Sequence, residues 1–252
     1  MRTITRRAFV LASAALPLGC AADRPGAVPG APAPDVRQPA TGQTWRYTKH
    51  DMFTGALVDN EVDQVAAVNH VIDVSSRTER GDGTEAPPSA TGGWWRKYFE
   101  HPKSAALPSE IQSPWGMVLV DPHWGQAQVY DAAIPLWPTV LQPGWRTRFK
   151  STYKISEAGA ALYWDQSMKA EAWETVSVPA GQFKALRYIN LIHFASSDAG
   201  RTDSVRRETV WFAPEVGRWV ARESRGSYYL DDSVDDTQAV ENAYRWALLS
   251  WS

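Results

Sequence analysis

The stretch Trp145-Arg146-Thr147-Arg148-Phe149-Lys150-Ser151-Thr152-Tyr153-Lys154-Ile155 alternates without a break. Trp145, Thr147, Phe149, Ser151, Tyr153 and Ile155 fall on one side, and Arg146, Arg148, Lys150, Thr152 and Lys154 on the other. Successive side chains of an extended backbone point to opposite faces, so this pattern reads as a strand buried on one face only. The same period of two recurs in short runs along the chain, and helical periodicity is scarce.

A second long strand is read around Val62, Ala66, Val68, His70, Ile72 and Val74, which share one face. Glu61, Asp63, Asn69 and Asp73 lie opposite, with a bend near the middle. Gly42-Gln43-Thr44-Trp45-Arg46-Tyr47 echoes Gly144-Trp145-Arg146-Thr147-Arg148-Phe149. This weak internal repeat predicts two β halves burying one aromatic core between them. The expectation is therefore an all-β protein: a curved antiparallel sheet or sheets, sandwich or half-barrel, with an irregular Trp/Pro-rich insertion.

Two unlike stretches separate the halves. Residues 77–93 are polar and rich in Gly, Pro and Ser, the composition of a mobile loop. From Trp94 to Trp145 there are six tryptophans and seven prolines, with little alternation outside Met117–Val120 and Gln126–Tyr130. Proline disfavours central strands and indole rings need cover, so residues 94–144 read as an ordered, irregular excursion packed on the sheet.

The N-terminal segment carries an address. Thr5-Arg6-Arg7-Ala8-Phe9-Val10-Leu11 resembles the twin-arginine export motif, and Leu16-Pro17-Leu18-Gly19-Cys20 resembles a bacterial lipobox. The resemblance implies a signal peptide over residues 1–19 and acyl chains such as palmitate on Cys20, the lipid attachment site. Ala21 and Ala22 lack the inner-membrane retention aspartate, which implies an outer-membrane protein facing the periplasm of the cell envelope. Residues 20–42, rich in Ala, Pro and Gly, read as a lipidated, disordered linker, leaving 43–252 as a single β domain. Cys20 is the one cysteine, so its acylation leaves no thiol for a disulfide or a metal. Removing Arg2, Arg6 and Arg7 leaves 23 bases against 28 acids, a formal charge of −5 that argues against a nucleic-acid partner.

Two turn signatures follow. Glu174-Thr175-Val176-Ser177-Val178-Pro179-Ala180-Gly181-Gln182-Phe183-Lys184-Ala185 and Glu208-Thr209-Val210-Trp211-Phe212-Ala213-Pro214-Glu215-Val216-Gly217-Arg218 are similar to the bacterial envelope family known as domain of unknown function 3108. That resemblance implies a curved antiparallel sheet in an exported protein, with no established activity. On physical grounds, Pro179 and Gly181, and Pro214 and Gly217, suit tight reversals that fix strand register.

Catalytic candidates fail on geometry. Ser151 and Lys154 have the S-x-x-K spacing of serine acyl enzymes, but residues three apart on a strand point to opposite faces. The run Asp231–Asp236 departs from a calcium loop: Asp236 stands where a glycine is needed, and Asn242 where the bidentate glutamate should be. His50, His70, His101, His123 and His193 never pair at ligand spacing, and His70 and His193 sit in apolar strand patterns that suit core histidines. No catalytic residue, metal ligand or cofactor is therefore assigned.

The aromatic content is the strongest functional hint. Thirteen tryptophans occur in 252 residues, and Trp94, Trp95, Trp115, Trp124 and Trp137 flank prolines or glycines. Rigid rings on a concave face would suit a lipid or lipid-like ligand, or would simply plug the open side of a half-barrel. The basic stripe Arg146, Arg148, Lys150 and Lys154 offers a phosphate contact or a solvated face. The expectation is a non-enzymatic, membrane-tethered envelope lipoprotein binding an apolar ligand. The alternatives are an envelope scaffold that recognises another protein and a hydrolase acting on envelope polymers.

Overall fold

A computed structural model describes residues 34–79, 109–123, 127–155, 159–198, 200–230 and 237–252. The leader, the anchor Cys20, the candidates Trp94, Trp95 and Trp124, most of the 77–93 loop and the Asp231–Asp236 run lie outside the described residues. The alternating stretch Trp145–Ile155 forms the strand Arg146–Lys154, with its basic residues outward and Tyr153 buried. In chain order the strands are β1 (Thr44–Asp51), β2 (Leu57–Val68), β3 (Ile72–Glu79), β4 (Glu110–Gln112), β5 (Met117–Asp121), β6 (Gln128–Pro135) and β7 (Arg146–Lys154). They continue as β8 (Leu162–Val178), β9 (Gly181–Phe194), β10 (Arg201–Ala213), β11 (Arg218–Leu230), β12 (Gln238–Val240) and β13 (Tyr244–Trp251).

These strands form an all-β, antiparallel sheet that closes on itself. The order runs β10, β9, β8 and onward down to β1, then β13 and β11, and β11 pairs back to β10 to complete a ring of twelve. β12 pairs beside the outer part of β11, through Ser227 to Tyr229. A closed barrel has no free edge, which is where a half-barrel would be open to pairing with other chains. The two repeat-like openings, β1 and β7, stand six places apart in this ring, so each Gly-Trp start lies on an opposite wall rather than in a separate half.

The long strand read across residues 62–74 is a hairpin instead. Asn69 donates to the Val71 carbonyl (2.9 Å) at the turn, and Asp63 pairs with Ser76 and Val65 with Val74 across β2 and β3. Part of the face is also the other one: Val62, Ile72 and Val74 are buried as read, but Asp63 and Val65 are fully buried as well, whereas Ala66, Val68 and His70 are exposed. His193, read as a core residue, is exposed as well.

The 94–144 stretch differs from an excursion lying on the sheet. Its described part supplies β4, β5 and β6 as members of the ring, with irregular backbone at residues 113–116 and 136–145. The linker also ends earlier than residue 42. The compact unit spans Ala33–Ser252, Val36 packs against the core, and the Arg37 amide donates to the Pro214 carbonyl (2.8 Å) while its guanidinium covers Trp251. The turn signatures behave as read: Val178 pairs with Gly181 across Pro179-Ala180, and Gly217 adopts a φ of 73° between β10 and β11.

Two apolar clusters fill the ring. One gathers Trp45, Tyr47, Trp137, Tyr188, Phe212 and Trp219, and the other Tyr130, Tyr153, Trp164, Ile192 and Phe194. Among the described residues no helix is long and apolar enough to cross a membrane.

Candidate functional site

The barrel interior also holds charges. Arg218 opens β11 just after the Pro214–Gly217 turn and is 2% exposed. Its Nη1 donates to Glu110 Oε1 (3.1 Å) and its Nη2 to Asp63 Oδ2 (2.9 Å), while the guanidinium plane lies over Trp45. Asp63 and Glu110 come from β2 and β4, so one arginine ties three walls together across the ring. Gln112 Nε2 donates to Glu110 Oε1 (2.6 Å), and Gln112 Oε1 in turn accepts from the Gly116 amide (2.7 Å).

His123, just past β5, extends the cluster. Its Nδ1 lies 2.7 Å from Asp121 Oδ1 and its Nε2 3.2 Å from Ser76 Oγ. Ser76 spends its one proton on Asp63 Oδ1 (2.5 Å), so its oxygen accepts from His123 Nε2, and both ring nitrogens donate. Burial alone would push the His123 pKa down, but Asp121, Asp63 and Glu110 outweigh it and hold the ring protonated well above its usual range. Burial likewise pushes Asp63 up, yet Arg218, His123 and Ser76 prevail and hold its carboxyl at about 2.

A second charged group lies alongside. Glu208 accepts from Arg222 Nη2 (2.5 Å) and from Asn190 Nδ2 (3.2 Å), and Trp246 Nε1 donates to Glu61 (3.2 Å). Burial, then Asp63, raises the Glu61 pKa. Ligand atoms of Glu61, Asp63 and His123 fall within 4.8 Å of one another, the spacing of a possible cation cradle. Those atoms already serve Trp246, Ser76, Arg218 and each other, and a metal would have to displace the His123 proton. The cluster reads as an ion network whose charges pair with one another, though Arg218 Nε and Asn190 Oδ1 find no partner among the described residues; such a network is costly to break and not greatly stabilising in itself.

Of the tryptophan candidates within the described residues, Trp137 is 6% exposed and Trp115 half-buried. Trp115 stacks on Trp45 at 5.9 Å and meets Trp137 edge-on at 5.2 Å, and Trp137 stacks on Phe212 at 4.7 Å. Among the described residues these rings pack together inside the ring of strands. A cavity of about 40 Å³ lies among Asp121, Asn190, Glu208 and Arg222 on one side and Ile134, Leu136, Ile192 and Val210 on the other, so its lining is mixed and more apolar than polar. On a measure where one water needs ~10–15 Å³, that is room for a few waters. Sequence reading missed this interior network because Asp63 and Glu61 were assigned outward. The Arg218 that closes the second turn signature was the available clue.

On the outer wall, Arg148 and Lys150 reach Asp165 of β8, Lys150 at 3.8 Å. Ser151 and Lys154 lie on opposite faces of β7, and the Ser151 hydroxyl donates to the Ala132 carbonyl (3.0 Å).

No family model matches this chain, so the likeness to domain of unknown function 3108 rests on the two turns alone. No curated protein matches either. Among solved structures the chain is similar to a candidate lipoprotein from Parabacteroides distasonis, with 11% identity and a TM-score of 0.47 over 87% of this chain and 100% of that one. It is also similar to a candidate exported protein with YmcC-like fold from Bacteroides fragilis, with 11% identity and a TM-score of 0.41 over 86% of this chain and 99% of that one.

Proposed function

We propose that this chain is a non-enzymatic, membrane-tethered envelope protein that acts through its outer wall, as a scaffold for another envelope component, and carries no lipid in its lumen. The observation behind this reading is the packed interior. Indole and phenyl rings stack across the ring, and the cavity beside them is small, about 40 Å³. An acyl chain needs a continuous apolar cavity, so a lipid carrier would have to unpack this core. The outer wall carries Arg146, Arg148, Lys150, Asp165, Lys169 and Arg207, the reverse of a membrane-spanning barrel with its apolar band outside. The export and lipobox motifs supply the tether, through Cys20, to the periplasmic face of the outer membrane.

Native mass spectrometry of the Ala33–Ser252 unit tests the reading. The expected spectrum shows the bare polypeptide. A retained acyl species that survives mild activation would return the lumen to the role of carrier.

A further inference from the structure

The outer wall is dented over β7 to β10. The dent is an open groove of about 460 Å³, within the ~300–1,000 Å³ range of small-ligand sites. Its origin lies in the register. Arg146, Lys169 and Ile189 stand in one cross-strand row, and Arg148, Ser167, Leu191 and Arg207 in the next. Ser167 is the one short side chain among these long ones, so the wall dips there.

The floor of the groove is apolar and its rim is cationic. Ile189 and Leu191 form the floor, and Leu191 is 37% exposed, unusual for a leucine in a charged row. Arg146, Lys169 and Arg207 line it against a single carboxylate, Glu171, a net lining charge of +2. Glu171 is itself shared between Lys169 (2.9 Å) and Arg187 (3.2 Å), and Asp165 is taken by Arg148. Arg146 makes no ion pair among the described residues.

We propose that this groove binds a single-chain amphiphile with a phosphate head, the head on Arg146 and Lys169 and the alkyl chain across Ile189 and Leu191 toward Arg207. It rests on the reading that the outer wall, not the lumen, does the recognising. Arg146 and Lys169 face each other on adjacent strands, about 5 Å apart, close enough for one phosphate to take both. Beyond them the floor offers a short chain a place to leave water. The groove spans only four strands, roughly 14 Å from first to last, which suits one short chain rather than a bilayer surface.

Titration calorimetry on the Ala33–Ser252 unit, which contains the whole core, decides the matter with decyl phosphate below its micelle concentration. The expected result is saturable binding that is about tenfold or more tighter than that of inorganic phosphate or decanol, and that weakens with salt. The double variant Arg146→Gln/Lys169→Gln should lose about tenfold or more, and Ser167→Phe, which fills the dip from outside the core, should lose a similar amount. Unchanged melting of both variants shows that the fold is intact. Absence of binding at about 1 mM decyl phosphate overturns the groove and leaves the filled lumen untouched. Inorganic phosphate binding as well as decyl phosphate overturns the apolar floor. Flotation with vesicles of equal phosphatidylglycerol and phosphatidylcholine, without decyl phosphate binding, overturns it in favour of a flat electrostatic contact. Full-strength binding by both variants overturns it too, and moves the ligand indoors.

Discussion

Arg218 holds two carboxylates that burial would otherwise make very costly. Replacing Arg218 by methionine strands Asp63 and Glu110, and urea denaturation at neutral pH should show a loss of about 3–5 kcal/mol. Adding Asp63→Asn and Glu110→Gln to that variant should recover much of the loss, because the charges leave together. His123 gives the network a pH dependence of known sign. Its folded pKa lies above the ordinary histidine value, so its contribution is complete below about pH 6.5 and is lost as pH rises through the folded pKa. Between pH 6 and about 9 the urea midpoint of the native protein should fall relative to that of a His123→Gln variant. A parallel pair of curves would contradict the protonated ring. Little of this was legible beforehand: Val62, Ala66 and Val68 offered a more apolar face than Glu61, Asp63 and Val65, and apolarity decided the assignment. Asp63 is buried all the same, because Arg218 and His123 arrive from far along the chain to meet it.

At the level of elements, the second turn does two jobs. Gly217 sits at a φ of 73°, and a Cβ there would lie 2.6 Å from the Arg37 carbonyl oxygen. Gly217→Ala should therefore cost about 1–3 kcal/mol, from the left-handed backbone and from displacing the docked N-terminal arm. Trypsin should then cut after Arg37 faster than in the native protein, and equal cleavage rates would show that the arm is held elsewhere. The strands with clean alternation, β7 and the β8–β9 and β10–β11 hairpins, were readable because one face is apolar and the turns carry Pro and Gly. The β2–β3 hairpin escaped notice because Asn69-His70-Val71 contains neither residue. β4 to β6 were obscured by prolines that sit mainly at strand ends and turns, such as Pro114 and Pro135.

For the whole molecule, tether and barrel are separable. Cys20→Ala should release the protein from membranes into the soluble fraction without shifting its melting temperature, since the core begins after it. Persistent sedimentation with membranes would contradict the acyl anchor. Closure of the ring could not be foreseen from local pattern, because pairing of β11 with β10 on one side and β13 on the other depends on long-range register. It also orders events in time. β13 lies between β1 and β11, the first and last of the described strands being neighbours, with Trp45 opposite Trp251. A nascent chain therefore exposes two unpaired borders until β13 has left the ribosome, and a premature stop near residue 243 would release a sticky, unfinished sheet. Completion of this barrel waits on β13.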